Sequence, residues 1–431
     1  MRSTLGLVIV ASVISWFVAC GKVQPLAPDA ASCTSAAQCT TPGLPFCVGG
    51  QCQAACAGAG DCTSADAPIC AADGACVGCI QASDCAGDAP VCDADDRACR
   101  GCAEDAECPG GVCVEAEGRC VADADVSFAT MMGNDTGTCT RTAPCASLTY
   151  AIAQAGRRPG VHVLGGTLFA NEVVTVTGNR VIDGEGTALR ASGTTFAVTA
   201  PAKVTIEGFL LAGPSDGMAP AINITGAGAI AVLSDLQITG SGAVITAGSS
   251  TDVTLTRSHI GNLVGDRHQV SCSNGKMRVT DSVFENSVIS PLSGNCELTV
   301  ARNRFESNND GSVQLVGGRL VMENNLVIHR DGFNDSILAA QLAPGSTIRF
   351  NTIVNTTAVA SDGAAISCDN TVEVTSNIIA YNSGNVITGQ GCVTRYSIFD
   401  EVAKTSAGTG NQVTNLETIF VNRGAGDYHL A

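Results

Sequence analysis

The chain is poor in aromatic and charged side chains: one Trp, four Tyr and 12 Phe in 431 residues, and only 15% charged positions. Basic residues are the scarcer sign, 23 against 40 acidic, for a net charge of −17. No Lys/Arg cluster is dense enough to neutralise a phosphate backbone, which excludes nucleic acid as a partner. The apolar run over residues 5–18 is too short for a comfortable membrane span, yet it suits a signal-peptide core.

What is abundant is Gly, with 49 residues, together with Thr, Val, Ser and Asn, a mixture that favours short strands and turns over helices. An all-β protein of two unequal parts is expected. Of the 23 cysteines, 16 lie between residues 33 and 120. That density implies an oxidising compartment. The same segment carries −10 of the net charge, with Arg97, Arg100 and Arg119 its only basic residues.

Phe17-Val18-Ala19-Cys20-Gly21, at the end of the apolar run, resembles a bacterial lipoprotein signal. The resemblance implies cleavage before Cys20 and lipidation of that cysteine, hence a membrane partner reached through a lipid anchor. Setting Cys20 aside leaves an even 22 cysteines, which can pair completely. Gly21, where such lipoproteins carry Asp for inner-membrane retention, points to the outer membrane or cell surface. Residues 21–32, with Pro25 and Pro28, read as a tether.

From residue 33 the cysteines fall into four sets, 33/39/47/52, 56/62/70/76, 79/85/92/99 and 102/108/113/120, with a constant period of 23. Such regularity is an internal repeat. Units this small cannot bury a core, so bridges worth about 2–4 kcal/mol each must substitute for one. Each set allows three connectivities, and all three remain open. The residue before each second cysteine is Gln38, Asp61, Asp84 or Glu107. Structural zinc sites show close Cys pairs; here the two-residue spacings fall between repeats, so no metal is expected and the acids are assigned to solvated turns.

Near residue 125 cysteines thin out and β-branched runs separated by Gly and Asn take over. Asn134-Asp135-Thr136-Gly137-Thr138-Cys139, then Pro144-Cys145-Ala146-Ser147-Leu148-Thr149-Tyr150-Ala151-Ile152, Val161-His162-Val163 and Gly165-Gly166-Thr167, resemble the opening segment of bacterial pectin-lyase-like β-helix proteins. That resemblance implies a short capping helix, here over residues 147–155. Independently, Ser258, Ser282, Asn303, Asn324, Asn351, Asn377 and Ser397 recur at 20–27 residues, each followed two positions on by an apolar residue. Three positions earlier stand Leu255, Val279, Val300, Val321, Ile348 and Val374, with Thr394 the exception. The pattern predicts a right-handed parallel β-helix whose polar column hydrogen-bonds from turn to turn. The remaining cysteines fit this period: Cys272 with Cys296 and Cys368 with Cys392, each 24 residues apart, could bridge adjacent turns, and Cys139 with Cys145 could staple the start. The domain plan is thus a signal over 1–20, a tether over 21–32, disulfide repeats over 33–124 and a β-helix over 125–431.

Fold alone assigns no chemistry. The paired carboxylates and the Gly-His-Gly and Arg-Ile-Lys motifs of polygalacturonase-like hydrolases do not occur in the β-helix. The best groupings for lyase chemistry are His329-Arg330-Asp331 with Asp335, and Asp266-Arg267-His268; both read as exposed loop charges. His162 and His259 read as outward-facing strand residues. No catalytic residue, cofactor or metal is therefore assigned. The expectation is a non-catalytic surface lipoprotein that presents the β-helix to carbohydrate or protein. The alternatives are a polysaccharide lyase or glycoside hydrolase acting on acidic polysaccharide, and a structural spacer.

Overall fold

A computed structural model describes residues 33–430 except 35–37, 41–45, 49–50, 54, 109–111, 115–116, 157, 167–168, 171–172, 191–192, 213–218, 242–243, 265–267, 310, 330–334, 356–362, 381–385, 401–407, 415–418 and 423–426. Cys20 and the tether lie outside the described residues. No helix among the described residues is long and apolar enough to cross a membrane. These residues divide into two compact units, one reaching Ala86 and including Cys92–Arg100, the other made of Gly87–Val91 and the chain from Gly101 onward.

In the first unit each set of cysteines pairs first with third and second with fourth: Cys33–Cys47 and Cys39–Cys52, Cys56–Cys70 and Cys62–Cys76, Cys79–Cys92 and Cys85–Cys99. Short antiparallel pairs such as Ile69–Cys70 with Cys76–Val77, and single 3-10 turns such as Ala59–Asp61, make up the regular structure of the described loops. The acid before the second cysteine is a cap. Asp61 accepts the backbone N–H groups of Ala57 and Gly58, and Asp84 those of Ile80 and Gln81. Gln38 in the first repeat accepts from Thr34 in the same way. The carboxylates lie at exposed turns and hold donors that no strand could use.

The second unit is a right-handed parallel β-solenoid. Three ladders of short strands run its length. The first begins at Val126–Ala129 and Gly160–Val163 and ends at Val372–Thr375 and Cys392–Arg395. The second includes Val283–Glu285, Leu326–His329 and Ile398–Asp400, and the third Val174–Thr177, Ile222–Thr225 and Ile337–Ala340. Period-2 burial within strands, as in Val174–Thr177 and Val372–Thr375, sends Val and Ile inward to stack on their equivalents one turn away. Phe284 and Phe305 stack with centroids 5.1 Å apart. The start of the core is closed by α1 (Leu148–Ala155), which buries Leu148, Ala151 and Ile152. Ser147 caps it by accepting from the Tyr150 N–H, and Asp135 accepts from the amides of Ala146 and Ser147.

The polar column is real but passes through Asn325, not Asn324. The Asn303 amide donates to Asn325 Oδ1 at 2.9 Å, the Asn325 amide to Asn351 and the Asn351 amide to Asn377, each at 2.9 Å. The chain of bonds runs from Leu236 through Ser258 and Ser282, and leaves Ser397 for Asn411. Asn324 instead takes the left-handed backbone position before the column residue, φ 58°, as do Arg302, Phe350, Ser376 and Tyr396. Asn suits either place, being both an amide donor and tolerant of that conformation, so two adjacent Asn residues left the register ambiguous. The one-residue correction swaps the faces. The buried neighbours of this turn are Met322 and Val327, and Val321 and Leu326 are only half-buried.

Candidate functional site

The last cysteine repeat belongs to the second unit. Its bridges Cys102–Cys113 and Cys108–Cys120 follow the same pairing. Val112, Val114 and Val121 of this repeat form one apolar cluster with Val126, Phe128 and Val181 of the first coil turns. Lys203 reaches Glu117 at 2.8 Å across the same seam.

Beside this seam a row of polar residues lies on the outward side of the first ladder, and Asp105 of the repeat meets its first two members. His162 is in register with Asp183, Asp183 with Glu207, and Glu207 with Ser234. Outward residues of a β-helix normally meet water; His162, Asp183, Glu207 and Ser234 are all buried. The expectation that His162 faces solvent therefore fails, because the cysteine repeat covers that part of the ladder. His162 Nδ1 stands 2.5 Å from Asp183 Oδ2 and 3.9 Å from Asp105 Oδ2, and its Nε2 lies 3.7 Å from Glu185 Oε2. Asp183 Oδ1 also accepts the Glu185 amide, and Ser234 Oγ donates to Glu207.

Burial pushes the Asp105 carboxyl up to about 7, and the neighbouring Asp183 carboxylate, by hydrogen bond and by charge, pushes it the same way. Burial also disfavours the charged form of His162, but the Asp183 hydrogen bond and the charges of Asp183, Asp105 and Glu185 outweigh it and raise its pKa. The cluster can thus hold a proton near neutral pH.

A second feature is open to solvent. Asp252, Lys276, Glu297 and Arg319 are register partners on successive rungs of the first ladder, so charge alternates along it. With Arg278, Thr299 and Val321 they line a groove of about 300 Å³. Arg319 lies 3.7 Å from Glu297. Lys276 and Arg278 are exposed, and neither has an ion-pair partner among the described residues.

The groupings considered for lyase chemistry do not assemble. Arg330, Asp331, Asp266 and Arg267 lie outside the described residues. His329 is buried at the end of a strand, and the half-buried Asp335 accepts the Ala364 amide at 2.7 Å. His268 is half-buried with Nδ1 2.8 Å from the Ser290 carbonyl, and His259 is exposed, 3.0 Å from Glu285. Disulfides join Cys139 to Cys145, Cys272 to Cys296 and Cys368 to Cys392, with Cα separations of 4.8, 5.8 and 5.2 Å. Sequence reasoning missed Asp105, Asp183 and Glu207. The signal was present in Val161-His162, Ile182-Asp183 and Ile206-Glu207, apolar–polar pairs 21 and 24 residues apart, the coil's own period.

The sequence matches no family profile and no curated protein. Among solved structures, a GH136 lacto-N-biosidase from Eubacterium ramulus is similar over 67% of this chain and 68% of its own, at 11% identity and a TM-score of 0.42. PfbA, a surface adhesin of Streptococcus pneumoniae, is similar over 67% of this chain and 90% of its own, again at 11% identity and 0.42. The Dettilon tailspike protein overlaps 72% of this chain and 71% of its own, with 11% identity and a TM-score of 0.32. At this identity and overlap the likenesses assign neither activity nor ligand.

Proposed function

We propose that this is a surface lipoprotein of the outer membrane, anchored through Cys20, whose pectin-lyase-like β-helix binds carbohydrate along its first ladder. The observation that carries the binding reading is the groove at Lys276, Arg278 and Arg319. In a chain of net charge −17, two exposed cations without ion-pair partners among the described residues sit side by side in a polar groove. Acceptors alternate with donors on rungs about 4.8 Å apart, a regular grid suited to a repeating polymer rich in hydroxyl and carboxylate groups. Acidic sugar units are the best match for Lys276 and Arg278. The disulfides support an oxidising, extracytoplasmic address.

The test is a glycan array probed with the purified protein and with Lys276→Glu/Arg278→Glu. Binding to acidic glycans that falls at least tenfold in the variant is expected; equal binding by both proteins, or none by either, would remove the proposal. Incubation with a polysaccharide panel tests the enzymatic alternative. New reducing ends would replace the binding reading with a glycoside hydrolase, and unsaturated products with a lyase.

A further inference from the structure

We propose that Asp105, His162 and Asp183 form a binding site for a divalent transition-metal ion, zinc being the best fit, which pins the last cysteine repeat to the first turns of the coil. The ligand-capable atoms of the three residues all lie within 4.8 Å of one another. Ligand atoms held at 2.0–2.2 Å by a tetrahedral ion are separated by roughly 3.4 Å. The 2.5 Å from His162 Nδ1 to Asp183 and the 3.9 Å to Asp105 bracket that value. Side-chain shifts of about 1 Å would bring the three to tetrahedral spacing, with water in the fourth position.

Charge points the same way. One imidazole is surrounded by three carboxylates, and among the described residues no Lys or Arg pairs with Asp105, Asp183 or Glu185. Asp183 is buried and Asp105 half-buried, and two carboxylates so placed are costly in their charged forms unless a cation joins them. With Nδ1 on the metal, Nε2–H faces Glu185 Oε2 at 3.7 Å, longer than a hydrogen bond but closed by a small side-chain shift. A carboxylate so placed can serve as the outer partner that orients a metal-bound histidine. The imidazole selects a transition-metal ion over Mg²⁺ or Ca²⁺, which take oxygen ligands. The ligands come from three places in the chain: the 3-10 turn Asp105–Glu107, the strand Gly160–Val163 and the strand Arg180–Arg190. A bound ion would tie the repeat to two successive turns.

The experiment uses the full-length protein, stripped with a chelator and titrated with Zn²⁺ by calorimetry at pH 7, with thermal melts alongside. One Zn²⁺ per chain with a Kd of about 1 µM or below and a raised melting temperature are expected. His162→Gln and Asp105→Asn should weaken binding at least 100-fold, and Glu185→Gln, at an exposed position, about tenfold. Circular dichroism checks that each variant folds. If the buried variants do not fold, the Glu185→Gln shift alone decides. No heat and no thermal shift in the wild type would overturn the proposal, as would folded variants that bind Zn²⁺ unchanged or equal binding of Mg²⁺. A cluster that merely shares a proton gives the first of these results.

Discussion

Residues 56–99 contain eight cysteines in four bridges, whereas the coil from Val174 to Cys392 contains two bridges. In the first region regular structure is limited to strand pairs of two or three residues and single turns. In the second, strands between the end turns have a partner above and below, and the buried apolar positions are mostly Val, Ile, Leu and Phe. The difference shows how each region compensates for chain entropy. The repeats restrict the unfolded chain with loops of 13–14 residues, each worth about 3 kcal/mol. The coil gains its stability from burial and from backbone bonds repeated turn after turn. The fourth repeat shares both devices, with two bridges and an apolar seam against the coil.

The largest effect should come from reduction. Each bridge lost from a small module costs about 2–5 kcal/mol, more than a coreless unit can bear. Limited proteolysis in reductant should cut within residues 33–100 long before the coil. Simultaneous cutting of both regions would break the comparison.

Next in size is Phe305→Ala, which removes a fully buried ring stacked on Phe284 and should cost about 3–5 kcal/mol in chemical denaturation of the coil. Asn351→Ala should follow at about 2–4 kcal/mol. Its side chain accepts from the Asn325 amide and donates to the carbonyls of Met322 and Arg349, and the change leaves the buried Asn325 amide without its acceptor. Asn324→Gly, by contrast, keeps the left-handed backbone and should change stability by less than about 0.5 kcal/mol. A large loss at Asn324 together with none at Asn325 would reverse the register given above. Asp84→Ala, which removes an exposed cap on two amides, should act only locally, as faster amide exchange at Ile80 and Gln81.

Periodicity made the coil legible because every turn repeats the same demand: an apolar residue inward, a polar one at the bend. Seven positions of that column were visible, and one was misread because Asn324 and Asn325 are chemically identical neighbours. The earlier turns hid their site for the opposite reason. His162 and Asp183 occupy outward strand positions, which in a bare β-helix face water, and Asp105 of the packed repeat meets them there.

Local chemistry therefore determined a good deal from sequence alone. Cysteine count and period announce disulfide modules, and the spacing of β-branched and Asn residues announces a parallel coil, since both depend on relations between near or regularly spaced positions. The pairing of first with third cysteine, the true register at Asn325, and the meeting of Asp105 with a histidine 57 residues away were decided only by tertiary structure. Each depends on which of several sterically allowed neighbours is brought close, and long-range packing makes that choice.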